Sequence, residues 1–235
     1  MTQTTPYLGL GLYSVPEAVR LTGIPAASLR RWLLGYAYRT NGEKRTLPPI
    51  VASPLEPLEG SPTLTFLDLL EVRFINAFRQ HGISLQAIRL AAIRGQELFD
   101  RSHPFATRAF KTDGRTIFAE IADQAEDRVL LDLLKNQYAF RQVLEPYLYE
   151  GIEFSERDEP TLWRPIPKIP QAVLDPQRQF GQPILQQEGV PTAALARAHR
   201  AEGSIERVAR WFEVDAKSVR AAVRFEDELD QQRAA

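Results

Sequence analysis

From Ser14 to Leu33 the chain reads SVPEAVRLTGIPAASLRRWL, with apolar residues at helical spacing in two short runs separated by Gly23. Ser14 is placed to cap the first run, and Glu17 stands three residues on. Such a pair makes a capping box, in which each side chain bonds the other residue's backbone N–H. Pro16 falls in the first turn, where a missing N–H costs nothing. Ala18, Val19 and Leu21 form the apolar stripe, and Gly23 follows where a left-handed turn is easiest for glycine. Pro25 opens the second run, whose inward positions are Leu29, Trp32 and Leu33. Two short helices across a tight Gly turn predict a helix-turn-helix.

The same pattern recurs near the far end of the chain. SIERVARWFEVDAKSVRAAV, Ser204 to Val223, aligns with the first segment at an offset of 190 residues. Ser14 falls on Ser204, Val15 on Ile205, Ile24 on Val214, Ser28 on Ser218, Leu29 on Val219 and Arg30 on Arg220. A second helix-turn-helix is expected there, preceded by a helix from Thr192 to Glu202 that Gly203 ends, with Asp215 as N-cap of a last helix running to Glu228.

Between the two copies the pattern changes several times. Asn41-Gly42 between short segments signals a β-hairpin. Pro-rich sequence then reads as loop to residue 62. Thr65 and Asp68 form another capping pair, followed by Leu67, Leu70, Phe74, Ile75 and Phe78 on one helical face. Gly82 ends that helix, Ser84 caps the next, and Leu85, Ile88 and Ala92 continue the core. Phe105–Lys111 and Arg115–Ile121 flank Asp113-Gly114 and read as a second β-hairpin. Residues 127–145 return to helical spacing, and Tyr147–Phe154 reads as a strand. Five prolines within residues 158–176 favour an extended linker, and Gln179–Leu185 reads as a small β element around Gly181.

Charge adds a distinction. The whole chain has 235 residues and a net charge of −1, but residues 1–52 carry +4 and residues 197–224 carry +3. Residues 53–160 carry −6 and residues 225–235 carry −3. Both repeated patterns therefore lie in basic segments, as phosphate binding requires. There are no cysteines, which excludes disulfides, thiolate metal sites and a Cys nucleophile. No apolar run approaches the length that spans a bilayer, and the N-terminus lacks the basic and apolar regions of a signal peptide, so a cytoplasmic protein without a membrane role is expected.

The candidate chemistry is DNA recognition. The second helix of such a unit lies in the major groove with its outward N-terminal side chains on base edges. The candidate contacts are Ser28, Arg30 and Arg31 in the first copy and Lys217, Ser218, Arg220 and Arg224 in the second. Arg39, Lys44 and Arg45 flank the Asn41-Gly42 turn, so the hairpin has the layout of a wing. Arginine pairs with guanine or holds phosphate. His81, His103 and His199 are scattered without metal-ligand spacing, and Gly9-Leu10-Gly11 does not continue into a dinucleotide-binding loop. No cofactor and no catalytic residue is expected. Trp32, Trp163 and Trp211 read as packing residues.

YSVPEAVRLTGIPAASLRRW, with TFLDLLEVRFINAFRQHGISLQAIR after the hairpin, resembles the MerR superfamily of winged helix-turn-helix regulators. The last 60 or so residues resemble the helix-turn-helix domain of VapB-type antitoxins through Gly181-Gln182-Pro183-Ile184, Val190-Pro191-Thr192 and Gly203-Ser204-Ile205-Glu206. Gln187-Glu188-Gly189 stands where that family typically has Gly-Thr-Arg. The resemblance implies a homodimeric antitoxin of a type II toxin-antitoxin system. Such a protein neutralises a PIN-like ribonuclease toxin and represses its own operon by binding double-stranded operator DNA.

The expected fold is mainly α with small β elements. Residues 1–100 form a MerR-like winged helix-turn-helix domain, 101–158 a central small α/β block, 159–176 a Pro-rich linker and 177–235 an antitoxin-type helix-turn-helix domain. Two rival readings remain. One is a MerR-like regulator whose central block holds a small-molecule effector, without a toxin partner. The other is a nuclease using the acidic middle with Mg²⁺.

Overall fold

The computed structural model of the chain describes residues 8–40, 42–57, 60–125, 130 and 149–234. Among them are eight α-helices and eight short strands, the strands paired into four two-stranded antiparallel sheets. Strand β1 (Tyr13–Ser14) leads directly into α1 (Val15–Thr22), and the Ser14–Glu17 capping box is formed. Helix α2 (Ala26–Leu34) follows, then the hairpin of β2 (Tyr36–Thr40) and β3 (Glu43–Leu47). Strand β4 (Thr63–Leu64) returns to pair with β1 and delivers the chain to α3 (Phe66–Gln80), capped by the reciprocal Thr65–Asp68 box. Ser84 caps α4 (Leu85–Phe99).

The second hairpin expected over Phe105–Ile121 does not exist: this segment leads into helix α5 (Arg108–Ala125). Phe110, Ile117, Phe118, Ile121 and Ala122 are all buried, and their spacing is helical rather than alternating. Each large apolar side chain gains about 1.5–3 kcal/mol from burial, whereas one glycine inside a helix costs only about 1 kcal/mol. The helix therefore wins over the Asp113-Gly114 turn signal. Gly114 has a packing role instead, since a Cβ there would meet the Phe110 ring at 2.8 Å. That ring and those of Phe105 and Phe118 contact Phe78 of α3 edge-on. The start of the central block is thus a helix and not a hairpin. Of the helix expected over 127–145, only Leu130 is described, in helical conformation and buried; the remainder lies outside the described residues.

The Pro-rich segment over 158–176 is packed, not a free tether. Of the strand expected over Tyr147–Phe154, residues 147–148 lie outside the described residues, and β5 (Ile152–Phe154) pairs with β6 (Pro160–Trp163). Strand β7 (Ala172–Val173) pairs with β8 (Ile184–Leu185) after a 3₁₀ turn at Gln179–Gly181. Trp163, Ile166 and Ile169 are buried, and the Arg73 guanidinium of α3 lies 4.1 Å from the centre of the Trp163 ring. Pro160 stands at the first residue of β6, and Pro165, Pro167, Pro170 and Pro176 lie outside the strands, so this stretch folds despite them.

Three helices end the chain: α6 (Thr192–Glu202), α7 (Ile205–Phe212) and α8 (Ala216–Ala234). They share a small core of Leu195, Val208, Val219 and Ala222 with Leu185. The main core runs from Tyr13 through α1–α5, takes in the Trp163 segment, and reaches Phe225 and Leu229 of α8.

Candidate nucleic-acid interface

The two repeated segments fold alike at their first caps, their turns and the start of their second helices. Ser14 accepts from the Glu17 N–H and Ser204 accepts from the Arg207 N–H. Gly23 at φ 70° and Glu213 at φ 54° make the same left-handed turn. Pro25 O accepts from Ser28 N and Leu29 N at 2.9 and 3.1 Å, and Asp215 O accepts from Ser218 N and Val219 N at 3.0 and 3.2 Å. Leu29 and Val219 are fully buried, while Arg30 and Arg220 are exposed.

In the first copy, burial of Leu29, Trp32 and Leu33 turns Ala27, Arg30, Arg31 and Leu34 outward. Ser28 is half-buried. Gly35 then turns the chain at φ 73°, where a Cβ would strike Leu47 O at 2.3 Å, so the hairpin lies tight against the end of α2. The Arg31 guanidinium sits 4.9 Å from the Tyr36 ring centre, and Tyr36 contacts Tyr38. Arg39 faces Lys44 directly across the ladder, and Tyr38 faces Arg45. Like charges directly opposite in an antiparallel pair repel. Arg45 lies 3.8 Å from Glu43, and both are exposed. The structure thus places Arg30 and Arg31 beside a hairpin bearing Arg39, Lys44 and Arg45.

In the second copy, Lys217, Arg220 and Arg224 are exposed at helical spacing along one side of α8. Here two differences appear. The Ser218 hydroxyl donates to the Glu188 carboxylate, and Arg220 lies 4.0 Å from Glu206. No hairpin follows, because α8 continues into the core of the first unit. Trp211, expected to pack, is 71% exposed and occupies the position where the first copy buries Leu21; Trp32 and Trp163 do pack.

The copies are docked on each other. Arg20 of α1 bonds Glu226 at 2.7 Å and Asp230 at 2.9 Å, both on α8, and Glu226 also accepts from the Thr192 hydroxyl of α6. The Tyr13 hydroxyl donates to Gly181 O at 2.7 Å, and burial pushes its pKa up. Sequence reasoning missed Tyr36 and Tyr38 of the hairpin, although their alternation within YAYRT places both on one face. It also missed Glu188, which no local signal connects with Ser218.

Beneath the first unit lies a buried polar cluster. Asp68 bonds His103 Nε2 at 2.7 Å and accepts from the Thr65 N–H and the Ser53 hydroxyl. Glu71 accepts from the N–H groups of Phe105 and Ala106. Burial pushes Glu71 up to about 7. Burial alone would raise Asp68, but the His103 bond and charge hold it below its ordinary value; His103 is raised by Asp68 against the effect of burial. These bonds tie α3 to the turn that starts α5. Among the described residues no group of three or more His, Asp or Glu could hold a metal ion, and no helix is long and apolar enough to cross a membrane.

By fold, this is a mainly helical protein with an N-terminal helix-turn-helix domain. Residues 11–92 match a family described as "Putative DNA-binding HTH domain". The chain is 29% identical over 223 residues to "Putative antitoxin VapB45" of Mycobacterium tuberculosis, covering 90% of this chain and 92% of that protein. It is also similar to the X-ray crystal structure of Rv2018 from Mycobacterium tuberculosis, with a TM-score of 0.67 and 27% identity, over 90% of this chain and 96% of that one.

Proposed function

We propose that the protein is a DNA-binding antitoxin that neutralises a PIN-like ribonuclease toxin and represses its own operon, without enzymatic activity of its own. The observation that carries this reading is the arrangement of Arg30 and Arg31 beside the hairpin cations. Arg39 and Lys44 stand opposite each other, an arrangement that a phosphate would stabilise. Likeness to an antitoxin along nine-tenths of the chain supports the toxin half of the reading. A homodimer would present the basic surfaces twice and suit a palindromic operator.

The test has two arms. Promoter DNA from immediately upstream of the gene should be shifted by the purified protein in preference to scrambled DNA. The product of the adjacent open reading frame should co-purify with the chain and lose its ribonuclease activity in the complex. An active neighbour that neither co-purifies nor is inhibited would end the antitoxin reading and leave a regulator.

A further inference from the structure

A cleft of about 570 Å³ opens beside the helix that presents Arg30 and Arg31. It lies between the last turn of α2 (Leu33, Leu34), the Pro-rich segment after the hairpin and α4 (Arg89, Ala92, Ile93). The volume falls in the range of small-molecule sites, about 300–1,000 Å³. Leu34 and Ile93 both line it, and they remain 39% and 47% exposed. Isolated surface apolar residues are ordinary, but two flanking one cleft supply an apolar wall.

Arg89 adds a charge. Its side chain is half-buried, and Nη1 donates to the carbonyls of Pro48 and Pro49 at 2.5 and 3.0 Å. Both partners are neutral, and burial lowers the Arg89 pKa. Among the described residues Glu56 is the one carboxylate lining the cleft; it is exposed and does not pair with Arg89. A guanidinium has five donors in a planar fork suited to a carboxylate; Nη2 and Nε make no hydrogen bond among the described residues, and Tyr36 is the titratable group whose charge Arg89 feels.

We propose that this cleft binds a small amphipathic carboxylic acid, with its apolar body against Leu33, Leu34 and Ile93 and its carboxylate on Arg89. The wall is coupled to the DNA-facing helix, because the N–H groups of Ile50 and Val51 donate to Trp32 O at 2.8 and 3.2 Å. A bound acid therefore bears on the position of α2. The proposal goes beyond the antitoxin reading and does not depend on it.

The test is calorimetric titration of the full chain with octanoate and 4-phenylbutyrate, each compared with its neutral alcohol, 1-octanol or 4-phenylbutanol. At least one acid should bind saturably, one per chain, about tenfold or more tighter than its alcohol. Arg89→Gln should remove that preference, Arg89→Lys should retain most of it, and Ile93→Glu should abolish acid binding, all with unchanged circular dichroism. No saturable binding of either acid overturns the proposal, as does a preference that survives Arg89→Gln. If Arg89→Gln fails to fold, Ile93→Glu decides, and acid binding that persists in it overturns the site. Neither DNA nor toxin is present, so the outcome is independent of the proposed function.

Discussion

Arg20 of α1 and Glu226 of α8 form an ion pair at 2.7 Å that joins the two helix-turn-helix units, with Glu226 only 3% exposed. Glu226 sits where α8 stops being the second helix of one unit and becomes part of the core of the other, between buried Phe225 and Leu229. Removing one partner of such a pair strands the other charge in a dry site. Arg20→Ala should destabilise the protein by roughly 2–3 kcal/mol, less than for a fully buried pair because the Arg20 side chain is 28% exposed. Urea unfolding measures this. Arg20→Met with Glu226→Leu should be milder than either single change, and a double variant as unstable as the sum of the singles would refute the coupling.

Binding to promoter DNA should depend steeply on salt. If about six phosphates are neutralised per chain, log K should fall with log salt at a slope near −5. Fluorescence anisotropy at several salt concentrations gives the slope. A value near zero is incompatible with either basic segment meeting the backbone.

The two copies should differ in what they contribute. Arg30→Ala should weaken specific binding by about 1–3 kcal/mol if Arg30 reads a base. Arg220→Ala should cost less, because Glu206 and the Glu188–Ser218 contact put carboxylates next to that helix. Measuring each variant on operator and scrambled DNA separates base reading from phosphate contact. Equal losses for the two arginines would contradict the asymmetry.

Gly35→Ala should damage the hairpin's seating. The backbone there is at φ 73°, and the new Cβ would meet Leu47 O at 2.3 Å. Strain of this kind costs on the order of 1–3 kcal/mol. DNA affinity should fall while the helical circular dichroism persists, since the change lies outside both helices of the unit. Unchanged affinity would show that the hairpin does not meet DNA.

Stability should decline as pH rises from about 4.5 to about 7, and again as His103 loses its proton. Glu71 titrates near 7 in the folded protein against an ordinary 4.5, so the unfolded chain gives up that proton first and the folded state loses ground as pH rises through this window. His103, raised above 6.5, contributes stability below that value and loses it as pH climbs through its folded pKa. Asp68, lowered below 3.8, acts in the opposite direction and withdraws its contribution only in acid. Melting temperatures across pH should therefore peak under mildly acidic conditions. Glu71→Gln should make the decline shallower, and a variant that declines as steeply as the parent would remove Glu71 from this role.

Much of the site was legible because its signals are local. The Ser14–Glu17 and Thr65–Asp68 boxes, Gly23, the hairpin at Gly42 and each 20-residue copy of the repeated segment depend on residues within a few turns or one ladder of each other. The Asp113-Gly114 turn misled because a two-residue signal competed with the helical spacing of Phe110, Ile117, Phe118 and Ile121, whose burial against Phe78 is a long-range fact. Trp211 misled for the converse reason, since its copy has no counterpart of the core that buries Leu21.

The sequence by itself determined the paired helices of both repeated segments, the Ser14 and Ser204 caps and the outward arginines, because helix phase and capping are set by neighbours in the chain. The tertiary structure alone decided that residues 108–125 are helical, that the prolines of residues 158–176 lie in a packed segment, and that α8 runs from one unit into the core of the other. It also decided that Ser218 meets Glu188 and Arg20 meets Glu226, because burial and charge pairing between residues 30 and 206 positions apart depend on which surfaces the fold brings together.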